Sequence, residues 1–318
     1  MARKWSDQAI KHSRRFYKQL PLQILVLAGL AYIFIFSFIP MFGLIIGFKD
    51  YDIVSGIRGM FISPWVGFKY FREFFSDPIL PELVRNTLVL SVLKLLFTFP
   101  APIIFAIVLN ELRSTRFKKL IQTSSYLPHF ISWVVVSGIA YHFLSSAGII
   151  NTVLVNLGAI SKPIGFLNNP DLFWGFAVIS DIWKEMGWWT IIFLAAIVGV
   201  NQDMYESAQI DGAGRFKRII YITLPSIAPT IVVVLIMALG NLLGGGLSGS
   251  NFEQSYLFGN AMNSSTSEII QTYTFKVGLS QGRYAYATAV GLIQSLISLV
   301  LVFTSNAIAK RISGSGLF

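Results

Sequence analysis

The stretch PLQILVLAGLAYIFIFSFIPMFGLIIGF, from residue 21 to residue 48, contains no charged residue and decides the class of fold. A helix needs about 20 apolar residues to cross the hydrocarbon core of a bilayer. Three further uncharged stretches of at least that length follow, at residues 120–161, 219–252 and 284–309. A lipid-exposed backbone must satisfy its own hydrogen bonds, and the alternating pattern of a barrel strand is absent. These stretches therefore predict membrane-spanning helices.

Composition supports the same class of protein. Hydrophobic residues make up 54% of the chain and charged residues 13%, about half the roughly 25% that is usual in soluble domains. The chain has no cysteine, which excludes disulfides, thiolate metal sites and cysteine nucleophiles. Its formal charge of +10 does not indicate nucleic-acid binding, because membrane proteins concentrate Lys and Arg in cytoplasmic loops, where these residues set the orientation of insertion.

The hydrophobic pattern predicts an all-α, polytopic membrane protein with six transmembrane helices. The expected spans are residues 21–48, 86–109, 125–145, 173–199, 225–247 and 284–308. Lys and Arg number fifteen in the N-terminal segment, in loops 110–119 and 200–224 and after residue 308, against eight in the three opposite loops. The positive-inside rule therefore predicts that both termini face the cytoplasm.

Segments outside the spans carry further expectations. Residues 1–20 are basic and predict a cytoplasmic amphipathic segment on anionic lipid, and residues 21–318 are expected to form one six-helix transmembrane domain that includes loop 201–224. The fourth span is interrupted by three charges and is expected to begin as an interfacial segment. The fifth is expected to break near Gly244 into an irregular loop buried by protein or lined by water.

The most informative segment is the last predicted cytoplasmic loop, residues 201–224. Its sequence MYESAQIDGAGRFKRIIYITLP, from residue 204 to residue 225, predicts a short amphipathic helix that Gly212 and Gly214 stop. Pro225 then starts the next span. A compact helix between two spans is suited to transmit force from a soluble partner.

This loop resembles that of permeases of binding-protein-dependent ABC importers. The family signature is Glu-Ala-Ala, three residues, Gly, nine residues and Ile-x-Leu-Pro, and the chain meets the whole spacing with Ser207 in place of the first Ala. The resemblance implies the ABC importer permease fold and a coupling helix that docks in a cleft of an ATPase subunit. The implied coupling residues are Glu206, Ser207, Ala208, Asp211, Gly212 and Ala213.

Shorter segments throughout the chain are similar to the carbohydrate-uptake branch of that family, in particular to importers of oligo- and polysaccharide fragments such as alginate and pectin. Examples are FIPMFG at residues 38–43, IWKEMGW at 182–188 and YATAVGL at 286–292. The resemblance implies a multi-pass protein of the bacterial inner membrane. Its implied partners are a second permease subunit, two ATPase subunits, an extracytoplasmic solute-binding protein, an oligosaccharide substrate and membrane lipid.

Catalytic and cofactor motifs are not readable in the sequence. It contains no GxxxxGK[ST] loop, so ATP and Mg are expected on the partner ATPase subunits and no cofactor on this chain. The three histidines lie far apart without metal-ligand spacing, so no metal site is expected. His129 and His142 are expected to pack or to bond a helix end. The chain is therefore predicted to be a transport subunit and not an enzyme.

Charges and aromatic residues within the spans are candidates for the substrate path, because charges are costly in lipid and usually face a cavity or a partner. Pairing with Asp181 and Glu185 is the alternative interpretation of the two lysines, and helix packing that of the other side chains. Sugar rings present apolar faces to aromatic rings, and amides bind their hydroxyl groups. The candidates are Lys94, Lys184, Trp188, Trp189, Asn241, Tyr273 and Gln294.

The leading hypothesis is that the chain is one half of a heterodimeric permease that moves an oligosaccharide. Basic side chains within and outside the membrane make an acidic oligosaccharide a candidate substrate. The alternative is a secondary-active transporter of a small polar solute, which would bind substrate between inverted repeats. Six spans, no visible repeat and a docking-type loop argue against it. A membrane-embedded enzyme and a scaffold subunit are the remaining alternatives.

Overall fold

The computed structural model describes residues 19–313, 316 and 317. Within them the chain is helical apart from turns, loops and one isolated bridge between Lys49 and Trp65. The predicted amphipathic segment 1–20 lies outside the described residues except for 19 and 20, which begin the first helix.

The helices are numbered in chain order. They are α1 (Gln19–Phe48), α2 (Gly56–Ile62), α3 (Lys69–Phe75), α4 (Leu80–Asn110), α5 (Thr115–Tyr126), α6 (Trp133–Leu144), α7 (Ile149–Asn156), α8 (Pro170–Val198), α9 (Gln202–Ile210), α10 (Arg215–Gly240), α11 (Asn251–Phe258), α12 (Ile270–Phe275) and α13 (Tyr284–Ser313). Among the described residues, five stretches are long and apolar enough to cross a membrane: α1, α4, α10, α13 and the segment Trp133–Asn156, which joins α6 and α7. A sixth is α8, which passes the same test together with α9 although a bend of 69° separates the two helices. The all-α, multi-span fold expected from the sequence is confirmed.

Several predicted boundaries were wrong. The fourth span does not begin as an interfacial segment, because α8 is one continuous helix from Pro170, and the three charges that interrupt its apolar sequence, Asp181, Lys184 and Glu185, are buried. The fifth span begins at Arg215 instead of residue 225 and ends at Gly240 instead of residue 247. The helix can include the basic residues of its first turn, because long charged side chains at a helix end can reach water.

The third span is also different from the expected 125–145. Helix α5 begins ten residues earlier and breaks at a 3₁₀ turn, Leu127–Phe130, before α6 continues. Pro128 explains the break, because proline lacks the N–H that a helix interior requires. The backbone of α5 at Ser125 passes so close to Gly187 of α8 that any side chain at Gly187 would collide with it.

Prolines also explain widened turns inside the long helices. In α4 the amide of Phe99 donates to the carbonyl of Lys94 at 3.1 Å, five residues back, and Pro100 follows directly. The same wide turn precedes Pro225 in α10. A proline ring cannot fit against the carbonyl four residues earlier, and a π-turn relieves that clash.

Three apolar clusters hold the helices together. The first joins α3, α4, α12 and α13 around Tyr286, the second joins α4, α8 and α10 around Phe193, and the third joins α6, α8 and α11 around Phe258. Charged and polar side chains lie between these clusters, along the middle of α8. The long helix α8 therefore positions the buried charged side chains at its middle and the loop that follows its C-terminal end.

Helix α1 differs from the other long helices. None of its side chains from Gln19 to Phe42 is buried, and its contact with the rest of the described chain is confined to its last turns, where residues 42–48 pack on α13. The middle of this helix presents a continuous apolar surface that the described residues do not cover.

Candidate functional site

The predicted coupling loop is a rigid, capped helix. Helix α8 ends at Val198, and after three residues the side chain of Asn201 accepts a hydrogen bond from the amide of Asp203 at 2.9 Å, which starts α9. Asn is a favoured residue at this N-cap position because it satisfies an otherwise free amide. The 69° bend between α8 and α9 turns the short helix across the end of the span.

A Schellman motif ends α9 at the glycine of the signature. The amide of Ala213 donates to the carbonyl of Ala208 at 2.8 Å, and the amide of Gly212 donates to that of Gln209 at 3.1 Å. Gly212 has φ = +75°, a left-handed conformation that costs a non-glycine residue about 1–2 kcal/mol. The glycine of the motif is thus explained by the geometry that closes the helix.

The coupling residues face away from the rest of the chain. Glu206, Ser207, Asp211 and Gly212 are exposed, while Ala208 and Ala213 are half-buried. No described residue bonds the carboxylate of Glu206. The motif therefore forms a free convex surface, and its docking role stays a prediction.

One hydrogen bond ties α9 to α10 from behind, and an ion pair in turn joins α10 to the end of α4. The hydroxyl groups of Tyr205 and Thr223 lie 2.9 Å apart, which ties α9 to the start of α10. Arg215 lies 3.9 Å from Glu111, at the end of α4. A polar cavity of about 330 Å³ lies between these elements. Movement of α9 would therefore be passed to the ends of three long helices.

The middle of α8 carries a buried ion pair with α4. The Lys94 ammonium lies 3.8 Å from the carboxylate of Asp181, and both side chains are 1% exposed or less. The hydroxyl of Ser250 accepts from Lys94 at 2.6 Å and donates to Asp181 at 2.6 Å, so it bridges the pair. Ser248 donates to the other carboxylate oxygen at 3.1 Å. The irregular loop after α10 is thereby fastened to α8, and its burial agrees with the expectation for irregular backbone inside a membrane.

One turn further along α8, a second buried pair engages the break between α5 and α6. Lys184 donates to Glu185 at 2.9 Å and to the backbone carbonyl of His129 at 2.8 Å. The imidazole of His129 lies 2.7 Å from the other oxygen of Glu185. The imidazole also stacks on Trp188, with ring centroids 4.3 Å apart. In this conformation Lys94 and Lys184 are buried and paired, as the structural alternative anticipates, and their contact with substrate stays a prediction.

The other predicted path residues do not form one site. Trp188 is partly exposed on the surface of α8, whereas Trp189 is half-buried with no described acceptor for its indole N–H. Asn241 ends α10 and donates to the carbonyl of Gly246 at 3.0 Å. Tyr273 donates to Asp77 at 2.6 Å. Gln294 lines a cavity with α12 and has no described acceptor for its amide N–H.

Sequence reasoning missed part of the charged network. Ser248, Ser250 and His129 take part through hydrogen bonds that join distant segments, and no spacing pattern predicts them. It also missed the aromatic rings of Phe252, Tyr256 and Phe275, which lie within 5.6 Å of one another by centroid distance. The sequence signal for Phe252 and Tyr256 was their place in a Ser-, Asn- and Gly-rich stretch at residues 244–264, and Phe275 lies outside it.

The segment after α1 is held by polar contacts outside the long helices. The hydroxyl of Tyr70 donates to the carboxylate of Asp50 at 2.5 Å. Burial and this bond raise the pKa of Tyr70 to about 12. The bond from Tyr70, with the charge of Lys69, holds the pKa of Asp50 below its ordinary value. These groups fix α3 against the end of α1.

Within the described residues, no set of three or more His, Asp or Glu side chains could hold a metal ion.

Comparison with known proteins gives a family and several relatives. Residues 98–314 match the model for "Binding-protein-dependent transport system inner membrane component". The chain is 46% identical to protein LplB of Bacillus subtilis (strain 168), covering 93% of this chain and 91% of that protein. It is 41% identical to the polygalacturonan/rhamnogalacturonan transport system permease protein YteP of the same organism, covering 96% and 92%.

A solved structure matches over nearly the whole chain. It is the crystal structure of a bacterial ABC transporter involved in the import of the acidic polysaccharide alginate, with 37% sequence identity and a TM-score of 0.84. The match covers 95% of this chain and 99% of that one. A second structure of a bacterial alginate ABC transporter, in complex with an alginate pentasaccharide-bound periplasmic protein, matches with 36% identity and the same TM-score.

Proposed function

The chain belongs to the family of binding-protein-dependent transport system inner membrane components, and from that premise we propose that it is one of two permease subunits of an ATP-driven oligosaccharide importer. It is a multi-pass protein of the inner membrane and a transport permease. Its substrate would be delivered by an extracytoplasmic binding protein, as in the related alginate transporter, which was solved with a saccharide-bound periplasmic protein. The observation that carries the proposal is the capped, exposed helix α9 at the end of α8.

Helix α9 would dock in an ATPase subunit, which would bind ATP and Mg. Its outer surface is exposed and its motif carboxylate is unpaired among the described residues, whereas its inner side is tied to α10. A surface of this kind is complete only when a partner covers it. One ATPase subunit for each permease would account for two in the assembly.

A second permease subunit would cover α1. The middle of this helix is apolar and unburied within the described chain, and helices associate in membranes through van der Waals packing. Since the importer needs a path between two halves, a related or identical partner that packs on α1 would hold the halves together.

Both termini and α9 would face the cytoplasm, as the distribution of basic residues indicates. The cysteine-free chain allows a direct test with single cysteines at two exposed positions, Gln209→Cys in α9 and Ala261→Cys after α11. An impermeant thiol reagent added to intact cells should label the second position and not the first. The reverse result would invert the topology and remove the docking assignment.

The substrate would be an oligosaccharide, and an acidic one is favoured by the relatives named for polygalacturonan/rhamnogalacturonan and for alginate. Lys94 and Lys184 are buried and paired, which makes them poor first contacts for a carboxylate. Lys276 is about half exposed and pairs with Glu268 at 2.6 Å, so it is the better candidate. An unpaired carboxylate inside the membrane is costly, and a cation along the path would offset that cost.

Copurification tests the assembly. The chain, isolated from its native membrane in mild detergent, should bring with it a second permease and an ATPase subunit identifiable by mass spectrometry. The reconstituted complex should take up oligosaccharide in an ATP-dependent way. Uptake driven by an ion gradient without ATP would support a secondary transporter instead and overturn the proposal.

The acidic-substrate part has a separate test. Uronic and neutral oligosaccharides of matched length are compared in uptake by the wild type, by Lys276→Gln and by Lys162→Gln, which removes an exposed lysine from the loop before α8. Selective loss of uronate uptake in Lys276→Gln alone is expected. Preference of the wild type for the neutral sugar would reject the acidic substrate and leave the importer standing.

A further inference from the structure

Two buried glutamine amides line one cavity without hydrogen-bond partners. The carbonyl oxygen of Gln271 on α12 has no donor among the described residues, and the amide nitrogen of Gln294 on α13 has no acceptor. Both side chains line a cavity of about 300 Å³ between α11, α12 and α13. Buried polar atoms in proteins are nearly always bonded, so two in one cavity indicate a missing polar group.

The missing group must both donate and accept. A hydroxyl group does so, because it has one O–H donor and two acceptor lone pairs. A hydroxyl within reach of both side chains would donate to the oxygen of Gln271 and accept from the nitrogen of Gln294. Neither a carboxylate nor an ammonium can serve both amides in this way.

Aromatic rings form the wall of the same cavity. Phe252 and Phe275 line it, with ring centroids 5.2 Å apart. Tyr256 stacks on Phe252 at 5.6 Å with an interplanar angle of 11°, and it packs edge-on against Phe275 at 5.4 Å. Tyr256 and Phe275 are partly exposed, so their rings are available to a ligand. An aromatic wall with amides beside it fits a sugar ring, which has an apolar C–H face and hydroxyl groups at its edge.

A second, polar cavity of about 310 Å³ lies on the other side of this aromatic group, and Tyr256 is part of its lining. Hydroxyl and amide side chains of the 259–272 segment line it together with Lys276 and Glu268. The two cavities therefore adjoin, and the Phe252, Tyr256 and Phe275 rings separate them.

The depth of Gln294 argues against a lipid-facing surface. It lies ten residues into α13, which at 1.5 Å per residue is about 15 Å from the start of the helix at Tyr284. Polar side chains at such a depth face a cavity or protein, because lipid offers them no hydrogen bonds. This part of α13 therefore faces protein or a cavity instead of lipid.

We propose that these two cavities are consecutive saccharide subsites for neighbouring sugar units of one oligosaccharide. One sugar unit packs on Phe252 and Phe275 with a hydroxyl between Gln271 and Gln294, and the next lies beyond Tyr256 next to Lys276. The proposal rests on the oligosaccharide import proposed above and assigns where the chain contacts its cargo. A saccharide that is too short to fill both cavities is held less well.

The test uses the assembled transporter in proteoliposomes with its binding protein, and it measures uptake of oligogalacturonides over a series of lengths. Gln271→Met/Gln294→Met preserves side-chain volume and removes both amides, and Phe252→Leu removes the aromatic wall independently. Gln122→Met, on α5 outside both cavities, is the matched control. Thermal stability and basal ATP hydrolysis are measured for each protein.

The expected result is a loss of uptake of about tenfold for long oligogalacturonides, since removing one hydrogen-bond pair from a bound ligand changes affinity by about that factor. The loss is smaller for short ones, while thermal stability stays near the wild-type value and Gln122→Met keeps wild-type basal hydrolysis and uptake. An equal loss at every length, or loss of the second permease from the complex, would mean that the amides serve folding or the partner and would overturn the proposal. Wild-type uptake in both variants would also overturn it. A wild type that imports no saccharide at all would instead reject the function on which it rests.

Discussion

The middle of α8 and the helix α9 that follows it are built in opposite ways. Around Lys94, Asp181, Lys184 and Glu185, every charge has an opposite charge within 3.8 Å and is shielded from solvent. In α9 the side chains of Glu206 and Ser207 are exposed, and the carboxylate of Glu206 has no partner in the described chain. The first region is complete within the chain, whereas the second needs another protein to cover it.

The difference explains which region the sequence reveals. A docking surface must keep its residues at fixed spacing, because a partner protein contacts them. The residues of α9 therefore form a motif that can be recognised in the sequence. A buried network needs only complementary groups, which distant segments can supply in any order. Substitutions in the first region should therefore cost folding stability, and substitutions in the second should cost coupling.

The largest effect on stability is expected from Asp181→Asn. It leaves the Lys94 ammonium buried without a countercharge, and breaking a buried pair in this way costs about 3–5 kcal/mol. The free energy of unfolding in detergent should fall by that amount. Asp171→Asn, at the exposed start of the same helix, is the matched control and should change it far less.

A double variant sharpens this prediction. Lys94→Met/Asp181→Leu removes both charges, and replacing a buried pair with apolar side chains is often neutral. Stability should recover most of the loss of Asp181→Asn. If the single variant is as stable as the wild type, the charges are not energetically coupled and the comparison fails.

A smaller loss is expected from Ser250→Ala, which removes the hydroxyl that bridges Lys94 and Asp181. A hydrogen bond to a charged group contributes about 1.5–3 kcal/mol, so the variant should unfold that much more easily. Ser265→Ala, in the exposed turn after α11, is the control. Equal stability of the two variants would mean that the loop after α10 is not held by this bridge.

A still smaller loss is expected from Gly212→Ala. The added methyl group meets no atom within 4 Å, so its cost comes only from the left-handed backbone and is about 1–2 kcal/mol, confined to the end of α9. Gly214→Ala makes the same change at φ = −63°, also in open space. Substrate-stimulated ATP hydrolysis should fall in the first variant and stay near wild type in the second. If hydrolysis fell in Gly214→Ala and not in Gly212→Ala, coupling would not depend on the left-handed backbone that ends α9.

The sequence was sufficient for the helical class and the family, and it contains the motif on which the predicted coupling loop rests. Runs of uncharged residues predict membrane spans directly, and the spacing of residues from Glu206 to Pro225 identifies the motif. It was insufficient at helix ends such as Arg215, because terminal charges can reach water and do not end a helix. The break at Pro128 was also missed, since the surrounding residues are apolar on both sides.

The substrate path was the least predictable feature. Lys94 and Lys184 were chosen because charges in a span are costly. They pair with Asp181 and Glu185, and their further hydrogen bonds come from Ser250 and His129, more than fifty residues away in sequence. Gln294 was chosen for its amide alone. Its relation to Gln271 and to the rings of α11 depends on how three helices meet, which no local pattern encodes.

The most direct test of the account is Glu206→Lys, which should leave stability nearly unchanged because the side chain is exposed and unpaired. It reverses charge on the surface of α9 that would meet the ATPase. Substrate-stimulated ATP hydrolysis and uptake by the reconstituted complex should fall by about tenfold or more, since 1.4 kcal/mol of lost docking energy is tenfold. The melting temperature should match the wild type, and Asp171→Lys, at the start of α8, should retain both activities. Normal substrate-stimulated hydrolysis and uptake in Glu206→Lys, with the protein correctly folded, would contradict the assignment of α9 as the coupling helix.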